Sequence, residues 1–264
     1  MQRGCPVTPT APLNPPARRA RPLVQWLDHK LYPGVPSRWD DERLRAEVLR
    51  HLRPGARLLD LGAGAGIVPQ MNFRGLGATI CGVDPDPRVA QNPHLDEAHV
   101  GFGESIPYPD AHFDVVVADN VLEHLDDPDA VFREVSRVLK PGGVFLAKTP
   151  NAWHYVPTIA RLTPLSFHRF VCRMRGRAGA DTFPTRYRAN TRPAIATIGA
   201  RNGLELESFV THEDRPEYLR ITAPTYVVGW MYERAVNTLP GGARLRSVLI
   251  ATLRKSAEHV RKAA

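Results

Sequence analysis

The residues able to do chemistry in this chain are four acids and a run of glycines. In RLLDLGAGAGIVPQ, Arg57 to Gln70, an apolar run meets Asp60, and Gly62, Gly64 and Gly66 follow at alternate positions. Later apolar runs also end in acids: Asp84 after ATICGV, Glu104 after AHVGFG and Asp119 after FDVVVA. Glycines let a backbone turn tightly and approach a ligand that a Cβ would hold away. The spacing is G-x-G-x-G, whereas the dinucleotide fingerprint G-x-G-x-x-G needs its last glycine where Ile67 stands. Asp60, just before the loop, would also repel a pyrophosphate seeking a helix N-terminus. A carboxylate there suits a ligand carrying an ammonium or sulfonium cation.

These residues need a rigid frame, and the hydrophobic pattern supplies one. The strand candidates are RLLDLG, ATICGVD, AHVGFG, FDVVVAD, GVFLAKT, LELESFV and SVLIATLRK. SRWDDERLRAEVLRHL reads as a helix capped by Ser37, with Trp39, Leu44, Val48, Leu49 and Leu52 on one face. In DPDAVFREVSRVLKPGG the residues Ala130, Val131, Val135, Val138 and Leu139 mark a second, ended by Pro141-Gly142-Gly143. Continuous apolar strands separated by helices predict an α/β fold with a doubly wound, mainly parallel seven-stranded sheet. In such a sheet ligands bind beyond the carboxyl ends of the strands, where the acids lie.

Composition narrows the partners. A chain of 264 residues, 43% hydrophobic and 23% charged, can bury one large core. No apolar run approaches the roughly 18–20 residues that cross a bilayer, and no secretory signal opens the chain, so a cytoplasmic protein is expected. Cys5, Cys81 and Cys172 are isolated and form neither a metal-ligand spacing nor a disulfide framework, and no metal is expected. The net charge of +8 invites a nucleic-acid reading. About half of it, however, lies in Arg3, Arg18, Arg19 and Arg21 of an acid-free, proline-rich segment that reads as a disordered tail. Nucleic acid is not an expected partner.

DLGAGAG, GVDPD, ESIPYPDAHFDVV and NVLEHLDDPDAVFREVSRVLKPGG, in that order, together resemble the class I S-adenosylmethionine-dependent methyltransferases of the small-molecule type. The resemblance runs from about Leu58 to Pro150. It implies a Rossmann-like methyltransferase fold with S-adenosylmethionine as cofactor. It also implies that Asp60 takes up the cofactor's amino group, directly or through water, and that Gly62, Ala63, Gly64 and Gly66 follow the methionyl and ribose parts. Asp84, with Pro85 beside it, would hold the ribose, and Asp119 and Asn120 would lie near the methionyl group and the acceptor entrance. Many relatives carry an acid two residues before Glu104, where this chain has Phe102. Phe102 either packs on the adenine, with Gly103 and Glu104 adding polar contacts, or points into the core. His124, in EHL at the rim, is the candidate general base, required only when the acceptor must lose a proton. Its other reading is a helix-start histidine that packs or caps. His112, His154 and His168 are less well placed.

The organisation expected is a tail over 1–22, an N-terminal lid and helix over 23–56, the S-adenosylmethionine-binding core over 57–150, a helical cap insertion over 151–190 and the remainder of the core over 191–264. A helical insertion is expected near 216–240, with Tyr226, Val227, Trp230, Met231 and Ala235 on one face, covering the acceptor pocket or forming a dimer surface. In the cap, Phe167, Phe170, Val171 and Met174 share a helical face beside Arg169 and Arg173. That helix either packs on the core or meets an anionic, glycan- or lipid-linked acceptor at a membrane surface. Two functions follow: methyl transfer to an oxygen or nitrogen of a small-molecule or glycan/lipid-linked acceptor, or cofactor binding without turnover as a regulatory or partner subunit. A nicotinamide dehydrogenase ranks third, opposed by the loop spacing and Asp60.

Overall fold

The computed structural model describes residues 22–162 and 184–256. The leading tail, the helical face from Phe167 to Met174, Arg169, Arg173, His168, Cys5 and Cys172 lie outside the described residues. The chain runs α1 (Pro22–Leu31), α2 (Trp39–His51), β1 (Arg57–Leu61), β2 (Thr79–Asp84), β3 (Glu97–Val100), β4 (Phe113–Asp119), α3 (Pro128–Val138) and β5 (Leu139–Pro150). It continues through α4 (Tyr155–Leu162), α5 (Arg192–Arg201), β6 (Leu204–His212), α6 (Ala223–Thr238) and β7 (Val248–Lys255).

The seven strands form one sheet in the order β3-β2-β1-β4-β5-β7-β6, parallel from β3 to β5, with β7 antiparallel to both its neighbours. Period-two alternation splits the core in two. Leu59, Leu61, Val83, Val116, Ala118 and Phe145 face α3 and α5, while Leu58, Ile80, Val115, Val117 and Leu146 face α2. The order reverses between β1 and β4, so the turns leaving them diverge and open a crevice at their carboxyl ends. In register, Asp60 lies beside Gly82 and Val117, which places Asp84 and Asp119 at the same rim on the flanking strands.

Four local expectations are corrected. Arg38, not Ser37, is the N-cap of α2, and it makes no side-chain cap bond. Ser37 instead gives its carbonyl to the Arg215 guanidinium, while Asp40, Asp41 and Glu42 offset the helix dipole from the first turn. Leu49 is exposed, because the buried face of α2 runs through Trp39, Leu44 and Val48. Helix α3 ends at Val138, before the Pro-Gly-Gly turn, because Leu139 already pairs with Phe113 and the turn becomes an irregularity at the start of β5. On α6 the buried residues are Tyr226, Gly229, Glu233 and Val236, and Val227 and Met231 are exposed. Tyr226 packs with Val24 and Tyr32, so part of the stripe expected to cover the acceptor pocket or form a dimer surface is buried against the N-terminal segment.

Candidate active site

The glycine loop is pinned at both ends. Gly62 and Gly66 have φ of +80° and +71°, in the left-handed region that side chains disfavour. A Cβ on Gly62 would stand 2.4 Å from Val121 Cγ2, and one on Gly66 would stand 2.3 Å from Asn92 Oδ1. Between them Gly64 faces open space, its nearest neighbour being Asp84 Oδ2 at 3.9 Å from an added Cβ. The backbone there is free to approach a ligand. The Asn92 amide donates to the Ala63 and Gly64 carbonyls at 2.9 and 3.2 Å. Asp84 accepts from the Gly64 N–H at 2.8 Å and from the Asp86 N–H at 2.7 Å. Its carboxylate is therefore oriented by the loop it faces.

Three acids converge on this loop. Asp60 is buried, and burial, then the charges of Asp119 and Asp84, push its carboxyl up to about 8. Asp119 is pushed up to about 6, chiefly by burial, with Lys148 opposing the shift. The Lys148 side chain is fully buried, and its Nζ lies 2.8 Å from Asp119 Oδ1 and 3.0 Å from Asp40 Oδ2, with Asp41 as a third partner. Burial alone would favour the neutral amine, but Asp119, Asp40 and Asp41 outweigh it and raise the lysine's pKa. The crevice keeps a surplus of carboxylates, which suits a cationic ligand and fits S-adenosylmethionine.

The structure brings the predicted residues together. Gly62, Asp84, Pro85, Phe102, Gly103, Glu104, Asp119, Asn120 and His124 line one cavity of about 650 Å³. Asp60, Ala63, Gly64 and Gly66 line a second of about 240 Å³ that shares Gly62, Asp84 and Asp119 with the first. Phe102 is 65% exposed. Its core reading is excluded and its ring is available to a flat ligand. His124 Nδ1 lies 3.1 Å from the Pro184 carbonyl, which can only accept, so this contact is a hydrogen bond in the tautomer that carries its proton on Nδ1. Nε2 stands 3.9 Å from the Glu123 carboxylate. His112 stacks on Tyr108 at the opposite end of β4. His154 is buried 3.6 Å from Glu213, and burial lowers its pKa to about 3.

Three residues here escaped the sequence reading. Asn92 braces the glycine loop, and only the turn-forming Asn-Pro pair hinted at it. Lys148 was concealed in an apolar strand, although a charge in a central strand calls for a buried partner. Glu123 is buried beside the candidate base, and burial raises its pKa. Its carboxylate accepts from the Thr149 hydroxyl at 2.8 Å, and its carbonyl accepts the Arg186 and Tyr187 N–H groups at 2.6 and 3.2 Å. These bonds fasten the 184–190 segment to the turn carrying His124.

The sheet order and the acid-lined crevice fit the α/β fold of class I, Rossmann-like methyltransferases. A family model described as a methyltransferase domain matches residues 34–208, and the chain belongs to that family. A Mycolicibacterium smegmatis protein named a probable S-adenosylmethionine-dependent methyltransferase is 38% identical over 126 residues, 46% of this chain and 48% of that one. The ubiquinone biosynthesis O-methyltransferase of Methylobacterium nodulans is 36% identical over 156 residues, 51% of this chain and 62% of that one. The chain thus spans about half to three-fifths of these relatives' length. Among solved structures, the geranyl diphosphate C-methyltransferase of Streptomyces coelicolor, in complex with S-adenosyl-L-homocysteine, superposes with a TM-score of 0.54 at 16% identity. That match covers 81% of this chain and 79% of that one, and it shows the shared fold.

Proposed function

We propose that the chain transfers a methyl group from S-adenosylmethionine to an oxygen of a small-molecule acceptor, with His124 as the general base. One observation carries this reading: a single cavity is lined both by Asp84, the ribose candidate, and by His124. The cofactor supplies an electrophilic methyl on a sulfonium. Asp84 holds the ribose, Phe102 and Pro85 cover the adenine, and Asp60 faces the amino group. Alignment and exclusion of water are the protein's main contributions, and positioning can supply several kcal/mol of the barrier. His124 Nε2 takes the acceptor's hydroxyl proton, and Glu123 stabilises the imidazolium that results. The relative named for O-methylation in ubiquinone biosynthesis supports oxygen as the receiving atom. No helix among the described residues is long and apolar enough to cross a membrane.

The test is incubation with isotopically labelled methyl donor and fractionated metabolites, followed by mass spectrometry of whatever acquires label. Replacing His124 with glutamine should lower kcat on that acceptor by roughly 10²–10³-fold and leave S-adenosylmethionine affinity unchanged. An undiminished kcat removes His124 from the chemistry. Cofactor binding with no labelled product in any fraction would favour the binding-protein reading.

The buried acid makes a separate prediction. Burial, with the charges of Asp119 and Asp84, pushes the Asp60 carboxyl up to about 8 in the fold, against 3.8 in the unfolded chain. Folding is therefore increasingly penalised at this site as pH rises from about 3.8 through 8. An ammonium seated against Asp60 reverses the preference. Cofactor binding at pH 7 should then release up to about one proton, seen by calorimetry in buffers of different ionisation enthalpy. The release should vanish in Asp60→Asn, and a wild type that binds without releasing protons would exclude Asp60 as the counter-ion.

A further inference from the structure

Helices α1 and α6 bury one face against each other and leave apolar side chains on the other. Tyr226 of α6 packs on Val24 and Tyr32 and donates its hydroxyl to Asp28 at 3.0 Å, and the Tyr32 hydroxyl donates to Glu233 at 2.7 Å. On the opposite flank of α6, the Tyr232 ring meets that of Tyr155 in α4 edge-on, with centroids 4.8 Å apart. Away from these contacts Leu23 and Trp26 of α1 and Val228 and Met231 of α6 are each more than half exposed, and Val227 nearly so. Apolar groups gathered this way on an exposed surface mark a place of interaction. The face lies toward the crevice end of the sheet, because α6 follows β6, whose last residue, His212, pairs with Val248 opposite Pro150.

The charge beside this face has one sign. Asp28 and Glu233 are the acids of the two helices, and both are engaged inside the protein. Asp28 takes the Arg220 guanidinium and the Tyr226 hydroxyl, and Glu233 takes Tyr32, the Asn237 amide and Arg234. Lys30 and Arg234 are exposed. Asp28 is also the first acid of the chain, preceded by Arg3, Arg18, Arg19 and Arg21. A second copy of this chain would set these cations against their own kind, which disfavours pairing. An anionic lipid surface offers them counter-charges, and an exposed indole such as that of Trp26 suits the headgroup level. We propose that the exposed face of α1 and α6 docks on an anionic lipid bilayer. Leu23, Trp26, Val228 and Met231 enter the headgroup boundary, with Lys30 and Arg234 beside the phosphates. Docking there requires neither cofactor nor acceptor.

Sedimentation of the full chain with lipid vesicles is the test. Vesicles of phosphatidylcholine containing about one third phosphatidylglycerol should retain the protein at low salt, and vesicles of phosphatidylcholine alone should not. Retention should fall as added salt shortens the Debye length. Trp26→Ser combined with Met231→Ser should weaken partition roughly tenfold. Both side chains are exposed, so the variant should keep its fold, checked by circular dichroism. Leu76→Ser, which removes an exposed apolar side chain just before β2 at the opposite end of the sheet, should leave retention unchanged. No retention at low salt overturns the proposal. So does equal retention on neutral vesicles, or a folded Trp26→Ser, Met231→Ser variant that binds as well as the wild type. A wild type that sediments as a dimer in the absence of lipid, with that variant a monomer, would assign the face to a second copy instead.

Discussion

Replacing Asp84 with alanine should raise the dissociation constants of S-adenosylmethionine and of its demethylated product by about 100-fold each, equivalent to about 2.7 kcal/mol. Asp84 does two things at once. It accepts the Gly64 and Asp86 N–H groups at 2.8 and 2.7 Å, so it sets the shape of the loop, and its exposed edge faces the cavity. Hydrogen bonds to a charged acceptor contribute about 1.5–3 kcal/mol each, and alanine leaves both donors without this partner. The two ligands should lose affinity equally, because they share the ribose and differ only in the methyl group and its positive charge. Asparagine should recover part of the loss, since its amide oxygen can replace only one of the two acceptor oxygens. Calorimetric titration of the three proteins with both ligands decides the matter. A loss confined to S-adenosylmethionine would move Asp84 from the ribose to the sulfonium, and no loss would remove it from the site.

The second large effect is expected at Gly62. Alanine there must adopt φ near +80° and place its Cβ against Val121 Cγ2 at 2.4 Å. The left-handed backbone costs about 1–2 kcal/mol and overpacking a further 1–3, so unfolding in urea should show a loss of roughly 2–5 kcal/mol. The two parts can be separated. Trimming Val121 to alanine in the same chain should return the overpacking share and leave the backbone share, giving a clear coupling energy in a double-mutant cycle. Strict additivity would mean that the loop is not held against the turn after β4. Cofactor binding should stay weak in the double variant, because the backbone beside the ligand remains displaced.

The site was legible where local chemistry decides it. Glycines at 62, 64 and 66 and acids at the strand ends can be read from a linear chain, because a turn and a strand terminus are local events. Asp60, Asp84 and Asp119 then meet because parallel strands align their carboxyl ends. What was not legible came from distant pairings. Lys148 looks like a lone charge in an apolar strand until α2 folds over it with Asp40 and Asp41. Glu123 looks like a surface acid until Thr149 and the 184–190 segment enclose it. The open alternatives for Phe102 had the same origin, since its direction depends on where the chain goes after β3.

Hydrophobic period, written residue by residue, was enough for the doubly wound sheet and its seven strands, and glycine spacing with acid placement was enough for a cationic ligand; S-adenosylmethionine itself followed from the resemblance of four motifs to a known family. Tertiary structure decided how α2 and α6 turn their faces, which carboxylates are buried together, and that His124 lines the same cavity as Asp84. The physical reason is that burial and pairing are properties of an enclosure. A carboxyl like that of Asp60 moves to about 8 only when packing removes water and brings Asp119 and Asp84 near, and no stretch of sequence around Asp60 contains those neighbours.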